Sequence, residues 1–337
     1  MLHQTERETM SNFGTDRAPL GIRLYSALGK EPDWSAMTAD ELRDLQGKVN
    51  RKRASRLARV ITGRPDRGAS ICWSEMILPG RRLPIRIYRP SSNPQRGDRK
   101  ALPLVLHMHG GGFVGTAPQS DWINSHLAAQ LPAVVISVDH RLLAPDTPLS
   151  DAVDDGWEAL EHVARTADEW GIDPQRIAVF GESTGGLICA IAAIRARDCG
   201  LVLRAQVLAN PCVDLTSTMQ DSPSFIRFAQ SPTLNTGQME TLLRLALPPG
   251  SDALALSPLH TQDASGLAPA LVVVPTHDPI ADQGRRYAAR LQESGSPARL
   301  AEYRGATHAF LSMPSLVPQA KAARADITDF LKERLSV

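Results

Sequence analysis

The sequence predicts an α/β fold with a central, mostly parallel eight-stranded sheet flanked by helices. Apolar runs alternate with helical patterns along most of the chain, and this alternation favours parallel strands joined by crossover helices. Residues 1–68 contain no convincing strand. The connection from Asn210 to Leu271 spans about sixty residues, well beyond an ordinary link between a strand and a helix. It therefore predicts an insertion above the carboxyl end of the sheet.

Each element is expected from its own pattern. The turn Pro79–Arg82 separates two apolar runs and suggests a hairpin. Buried strands are predicted at 70–78, 83–88, 103–108, 133–138, 176–180, 203–209, 270–275 and 298–303. Helices are predicted near 119–130, 150–168, 185–198, 282–294 and 316–334.

The N-terminal part of the chain is expected to be helical. Thr38–Glu41 has the spacing of a capping box, and apolar residues follow at helical spacing up to Ile61. The stretch is also basic, so the helix could face a membrane or a nucleic acid. We favour the interpretation that the basic residues form a solvated face and that the other face of the helix covers a site. The predicted organisation is a helical cap segment at 1–68, a catalytic domain at 69–211 and 258–337, and a cap insertion at 212–257.

Bulk properties exclude some classes of function. A chain of 337 residues with a net charge of +1 gives no reason to expect a nucleic-acid partner. The first 16 residues contain no apolar run like a secretory signal, and no stretch is suited to span a bilayer. We therefore expect a cytoplasmic protein with no membrane partner and four reduced cysteines.

The run Gly181–Gly186 (GESTGG) is the most informative motif. It follows the apolar run 176–180 and precedes the apolar run 187–194, which predicts a strand, a sharp turn and a helix with Ser183 at the apex. G-x-S-x-G in this context is typical of a nucleophile elbow. Side chains two residues either side of the serine would collide, so Gly181 and Gly185 are needed.

Three further features occur in the order that the elbow requires. His109–Phe113 (HGGGF) follows a predicted strand and exposes backbone N–H groups of the kind that complete an oxyanion hole. Asp278 and His308 each follow a later strand. The order Ser183, Asp278, His308 is that of the α/β-hydrolase fold. All three would lie at the carboxyl ends of strands, where open α/β sheets build their sites.

These motifs make the chain resemble a hormone-sensitive-lipase-type carboxylesterase of the α/β-hydrolase superfamily. The matching segments are HGGGF (109–113), 137–142 with 144–145, 171–177, GESTGG (181–186), 210–211, 278–280 with Asp282, and 308–310. The resemblance implies Ser183 as nucleophile, Asp278 as acid and His308 as base. It implies an oxyanion hole formed by Gly111, Gly112 and the N–H of Thr184. It also implies no cofactor and no metal, a small-molecule ester substrate, and a homodimer as a family-level expectation.

The sequence departs from the family pattern at several positions. Family members more often read GDSAGG, so Glu182 and Thr184 are variants, and the Thr184 side chain is expected to narrow the acyl pocket. His140 replaces the usual tyrosine, and Gln283 stands where glutamate is common. None of these changes removes a group that the chemistry needs.

Two motifs have other interpretations. Gly110-x-Gly112-x-x-Gly115 after a strand also fits a dinucleotide-binding signature, but two predicted strands precede it and a Rossmann fold would leave the elbow unexplained. His107 and His109 have alternate spacing that could hold a metal, yet no third ligand is evident. We expect His107 in the core, and His109 with Gly110 supporting the glycine loop.

Three residues near the site keep open alternatives. His277 competes with His308 as the base, although neighbours at a strand end point in opposite directions. Asp282 is either a carboxylate at a helix N-terminus or a group near His308. Glu182 either tunes the nucleophile's pocket or anchors the elbow to nearby backbone.

The function predicted from the sequence is hydrolysis of carboxylic esters of short to medium acyl chains through an acyl-enzyme on Ser183. An O-acetylated metabolite or a lactone would fit this chemistry. The alternative is a non-hydrolytic use of the fold, as a lyase or dehydratase or as a small-molecule receptor. The family's receptor offshoot loses the catalytic histidine, whereas His308 is present here.

Overall fold

The computed structural model describes residues 17–27, 37–91 and 101–336. The expectation that residues 1–16 lack a signal-like run falls outside this described part. Among the described residues, no helix has both the length and the apolar character needed to span a membrane.

The described chain forms one eight-stranded sheet, in the order β1-β2-β4-β3-β5-β6-β7-β8. The β1–β2 and β2–β4 pairs are antiparallel and the others are parallel, which confirms the predicted mostly parallel sheet. The strands are β1 (Ala69–Leu78), β2 (Arg81–Pro90), β3 (Leu102–Met108), β4 (Val134–Val138), β5 (Ile172–Glu182), β6 (Ala205–Ala209), β7 (Ala270–His277) and β8 (Ala298–Thr307).

Helices pack on both faces of this sheet. They are α1 (Leu20–Ala27), α2 (Ala39–Arg53), α3 (Arg59–Thr62), α4 (Asp121–Gln130), α5 (Leu149–Arg165), α6 (Ala167–Trp170), α7 (Thr184–Cys199), α8 (Pro223–Arg227), α9 (Thr236–Ala246), α10 (Ala281–Glu293) and α11 (Gln319–Leu335). Leu104 and Leu106 of β3 point into a core with α5, α7 and α10. Val105 points the other way, into a core with α1, α4 and α11. This alternation along a strand gives the sheet two buried faces.

Several boundaries differ from those predicted. The helical spacing from Leu42 to Ile61 belongs to two helices, α2 and α3. The helix predicted at 150–168 breaks at Thr166, whose hydroxyl donates to the carbonyl of His162 at 2.8 Å. β5 begins four residues earlier than predicted, at Ile172. The capping box at the start of α2 is present, with Glu41 accepting from the Thr38 N–H at 2.9 Å.

The long connection between β6 and β7 carries α8 and α9. Asn235 caps α9 through the N–H of Gln238 at 2.9 Å. The buried side chains of Met239, Leu242 and Leu245 join the core on the α5–α7 side of the sheet. The weak helical pattern in this segment therefore belongs to a short, packed helix.

Candidate active site

Ser183 lies at a strained turn between β5 and α7. Its φ of 54° and ψ of −117° place a non-glycine residue in a region that side chains rarely adopt. A Cβ added to Gly181 would lie 2.1 Å from the carbonyl oxygen of Gly185, and one added to Gly185 would lie 2.2 Å from that of Met108. Glycine at both positions therefore makes the turn sterically possible.

The structure brings Ser183, His308 and Asp278 into one hydrogen-bonded chain. Ser183 Oγ lies 2.8 Å from His308 Nε2, and His308 Nδ1 lies 2.8 Å from Asp278 Oδ2. The residues directly follow the ends of β5, β8 and β7. Asp278 is fully buried, and its other oxygen accepts the N–H of Ile280 at 3.0 Å. A carboxylate at Nδ1 favours the tautomer whose Nε2 can take a proton from the serine.

The loop from His109 to Gly115 lies between β3 and the turn before α4. Gly111 has a φ of +96°, and a Cβ there would lie 1.8 Å from the carbonyl oxygen of Val114. Gly112 adjoins Thr184, because a Cβ on Gly112 would lie 3.0 Å from Thr184 Oγ1. Within the described residues, the N–H groups of Gly111, Gly112 and Thr184 donate to no carbonyl or side chain. These donors remain available for a negatively charged oxygen.

His109 supports this loop as a neutral, buried side chain. Its Nδ1 lies 3.0 Å from the carbonyl oxygen of Gly110, and its ring stacks on His140 at 4.0 Å. Burial, together with the nearby His140, holds the pKa of His109 well below its usual value. His140 Nε2 in turn lies 3.1 Å from the carbonyl oxygen of His109. The histidine that replaces the family's tyrosine therefore contacts the start of the glycine loop.

His107 has partners in the core rather than in the site. Its Nδ1 lies 2.8 Å from Ser137 Oγ and 3.1 Å from Asn124 Nδ2. Burial lowers the pKa of His107 to about 3, so the ring is neutral. His277 packs on the ring of Phe228 at 4.6 Å. Over residues 17–27, 37–91 and 101–336, no group of three or more His, Cys, Asp or Glu side chains is arranged to hold a metal ion.

Glu182 is buried beside the nucleophile and pairs with the segment that follows His308. Ser312 Oγ donates to Glu182 Oε2 at 3.2 Å. Burial raises the pKa of Glu182 to about 7, against the opposing effects of Ser312 and His308. Its hydrogen bond ties the elbow to the side chain of Ser312, whereas the sequence left open whether Glu182 tunes the pocket or anchors the elbow to backbone.

Asp282 lies in the first turn of α10 and contacts the long connection between β6 and β7. It accepts the N–H of Ser224 at 2.7 Å and a hydrogen bond from Arg285 at 2.7 Å, and its own N–H donates to Ser224 Oγ at 3.1 Å. Burial alone would raise the pKa of Asp282, but these hydrogen bonds lower it. Its contacts are those of a carboxylate at a helix N-terminus and do not include His308.

Several residues that lie around the glycine loop were not predicted as site residues from the sequence. Leu143 and Leu242 each place a Cδ1 atom 3.1 Å from the position of a Cβ on Gly112. Gln46 and Arg53 reach the same region from α2. Gln46 and Arg53 lie seven residues apart, so they share one face of the helix. This spacing was the one signal in the sequence that could have pointed to them.

Comparisons with known proteins agree with this geometry. The family described as the α/β-hydrolase fold matches residues 105–312. An ethyl acetate hydrolase from Pseudomonas putida is 32% identical over 322 residues, covering 93% of this chain and 96% of that protein. An arylesterase from Saccharolobus solfataricus is 37% identical, covering 69% of this chain and 74% of that protein.

A solved structure shows the same arrangement of the chain. A hyperthermophilic esterase from the archaeon Pyrobaculum calidifontis superposes with a TM-score of 0.81 at 28% identity, covering 94% of this chain and 98% of that one. The family match spans the elbow and every residue of the hydrogen-bonded chain. The protein therefore belongs to the α/β-hydrolase fold family and is a carboxylic ester hydrolase of the hormone-sensitive-lipase type.

Proposed function

We propose that the protein hydrolyses carboxylic esters of short to medium acyl chains through an acyl-enzyme on Ser183. The observation that carries the proposal is the continuous hydrogen-bonded chain from Ser183 through His308 to Asp278. It lies beside three backbone N–H groups that have no protein acceptor in the described residues. Together they supply a nucleophile, a base and donors for a developing oxyanion.

In the proposed mechanism, the ester carbonyl oxygen accepts hydrogen bonds from the N–H groups of Gly111, Gly112 and Thr184. His308 removes the proton from Ser183 as its oxygen attacks the carbonyl carbon. Asp278 stabilises the imidazolium that forms. The proton passes to the leaving alcohol, and a water activated by His308 then releases the carboxylic acid.

Side chains close to the glycine loop support a small acyl group. Side-chain atoms of Thr184, Leu143 and Leu242 lie 3.0 to 3.1 Å from the position that a Cβ on Gly112 would take, so little open space remains on that side of the loop. The similarity to an ethyl acetate hydrolase points in the same direction. An O-acetylated metabolite or a lactone would fit the proposed pocket.

The cap organisation is part of the same proposal. Segments 1–68 and 212–257 would cover the catalytic domain formed by 69–211 and 258–337. Two contacts support it: Gln46 of α2 donates to the carbonyl of Leu143 at 2.9 Å, and Leu242 of α9 packs beside Gly112. Ser183 keeps 8% of its surface exposed beneath this cover.

The test is hydrolysis of p-nitrophenyl esters from acetyl to dodecanoyl by wild type and Ser183→Ala, with Ser251→Ala, at an exposed serine, as the matched control. We expect activity that peaks at a short or medium chain and falls by about 10⁴–10⁶ in kcat in Ser183→Ala alone. Near-normal turnover by Ser183→Ala would overturn the assignment. A folded wild type inactive on every ester would favour the lyase or receptor alternative.

A cytoplasmic location and a homodimer stay predictions from the sequence and the family resemblance. Cell fractionation tests the first, and light scattering coupled to size exclusion tests the second.

A further inference from the structure

Arg53, the last residue of α2, is a partly buried cation with unusual partners. Its Nη1 donates to the carbonyl oxygen of Val114 at 3.1 Å and to Gln119 Oε1 at 3.2 Å. In the described part of the chain, no carboxylate lies within 4.0 Å of its guanidinium. Burial lowers the pKa of Arg53. A charge that is partly removed from water and has no oppositely charged partner lowers the stability of the fold. A role for Arg53 at its neutral acceptors would explain why it is there.

Both acceptors belong to the support of the glycine loop. The carbonyl of Val114 lies against Gly111, at the place where a Cβ would stand. The amide of Gln119 accepts from Arg53 through its oxygen and donates through Nε2 to the carbonyl of Gly110 at 2.9 Å. Arg53 therefore holds the end of the loop directly and its beginning through Gln119.

The bond to Gly110 has a direct geometric consequence. In a planar trans peptide, the C=O and the following N–H point in opposite directions. Fixing the carbonyl of Gly110 on Gln119 therefore fixes the direction of the Gly111 N–H, one of the proposed oxyanion donors. A change in this peptide plane would turn the donor away from the reacting carbonyl.

A second side chain of α2 acts on the middle of the loop. Gln46 is buried, lies two turns before Arg53 on the same face, and donates to the carbonyl of Leu143 at 2.9 Å. The N–H of Leu143 donates to the carbonyl of Gly112 at 2.8 Å. Two hydrogen bonds, from Gln46 to Leu143 and from Leu143 to Gly112, therefore connect α2 to the carbonyl of Gly112.

We propose that Arg53 and Gln46 are positioning residues, through which α2 holds the oxyanion loop in its donating conformation. The proposal rests on the oxyanion hole of the proposed function and adds a role for the N-terminal segment. On this account α2 acts on the chemical step, whereas a simple cover would act on substrate access and binding. The result expected is a change in kcat with little change in KM.

The test compares Arg53→Met, Arg53→Lys and Gln46→Met with wild type on the best p-nitrophenyl ester. Lys52→Met is the matched control, because it removes the same charge from an exposed position on the same helix. We expect kcat per titrated active site to fall about 10–100-fold in Arg53→Met, with KM within about threefold of wild type. Gln46→Met should lose about 3–30-fold, Arg53→Lys less than Arg53→Met, and Lys52→Met almost nothing.

The affinity for inhibitors is a second measurement. The difference between two ketones would not change if Arg53 had only a structural role. A trifluoromethyl ketone forms a hemiketal with the serine and places an oxyanion among the loop donors, whereas the parent methyl ketone reports ground-state binding. We expect the affinity for the trifluoromethyl ketone to fall in step with kcat, and that for the methyl ketone to stay constant. Added guanidinium ion should partly restore kcat in Arg53→Met.

Three outcomes would overturn the inference: an unchanged kcat, a raised KM at constant kcat, or equal losses of affinity for both ketones. If Arg53→Met does not fold, Arg53→Lys and Gln46→Met decide by the same measurements. Failure of the proposed function is distinguishable, because it would appear as a wild type without Ser183-dependent esterase activity.

Discussion

The turn that carries Ser183 (the elbow, 181–186) and the glycine loop (109–115), which holds the proposed oxyanion donors, lie side by side, yet they are held in different ways. The elbow is fixed by backbone contacts: the Ser183 N–H donates to the carbonyl of Ala209 in β6 at 2.9 Å, and Gly181 and Gly185 leave no room for side chains. The glycine loop is fixed largely by side chains, including those of Gln119 and Arg53. One half of the site is therefore held by the backbone of the central strands, and the other by side chains from distant parts of the chain.

After Ser183→Ala, the largest effect is expected from removing the charge of Asp278, the acid of the proposed triad, without moving backbone. Asp278→Asn keeps the shape of the side chain but favours the wrong tautomer of His308, so kcat should fall by about 10⁴. Asp252→Asn, at an exposed aspartate, is the control. Steady-state kinetics and thermal unfolding of both variants check this, and a loss below about tenfold in Asp278→Asn would contradict the assigned triad.

Glycine substitutions test the difference between the two regions directly. Gly185→Ala places a Cβ 2.2 Å from the carbonyl of Met108, so we expect loss of activity together with about 3 kcal/mol or more of the free energy of unfolding. Gly111→Ala would place a Cβ 1.8 Å from the carbonyl of Val114, so it should also destabilise the fold, but it should lower kcat by only about 10²–10³. Urea denaturation and kinetics measure both, and Gly80→Ala, whose Cβ would meet nothing, controls for positive φ alone. Equal losses of kcat at the two sites would remove the distinction.

A pH-dependent prediction concerns the elbow. The pKa of Glu182 is raised to about 7 from 4.5, so between these values the folded state holds a proton that the unfolded state has released. The free energy of unfolding should therefore fall as pH rises through this window, by about 3 kcal/mol in all. Glu182→Gln should remove this dependence.

Urea denaturation at pH 5 and pH 8 measures the effect. The control is Glu161→Gln, at an exposed position on α5. If the wild type and Glu182→Gln lose the same stability between the two pH values, burial does not control the titration of Glu182.

The smallest expected effect lies where the two regions meet. Thr184 is buried, and its hydroxyl has no hydrogen-bond partner in the described residues. Thr184→Ala should shift the preferred acyl chain by about one or two carbons towards longer esters, with kcat changed only a few-fold. The ratio of kcat/KM for hexanoate and butyrate esters measures it, and an unchanged ratio would show that Thr184 does not line the acyl pocket.

The same difference between backbone support of the elbow and side-chain support of the glycine loop explains what the sequence could predict. The fold followed from strand–helix alternation, and the placing of Ser183, Asp278 and His308 at strand ends followed from the periodicity of their segments. Glycine spacing around Ser183 expresses a steric need within a few residues. The need at Gly181 is readable because its partner, Gly185, lies four residues away, whereas the need at Gly185 involves the carbonyl of Met108.

The support of the glycine loop was not predictable in the same way. Gln46 and Arg53 lie about sixty residues before Gly112, and a basic helical face gave no sign of which cation would turn inwards. The pKa of Glu182 likewise depends on burial and on Ser312, over a hundred residues later in the chain. These properties arise from tertiary contacts that periodicity does not encode.

The reciprocal hydrogen bonds between Asp282 and Ser224 have a consequence for protein engineering. They attach the β6–β7 connection to the helix that follows Asp278, whereas Leu242 meets the glycine loop through apolar packing alone. A β6–β7 connection grafted from a relative would keep these hydrogen bonds to Asp282 if it carried a serine at the Ser224 position. Its other inward-facing residues could then be diversified for new substrates while the chemistry beneath stayed intact.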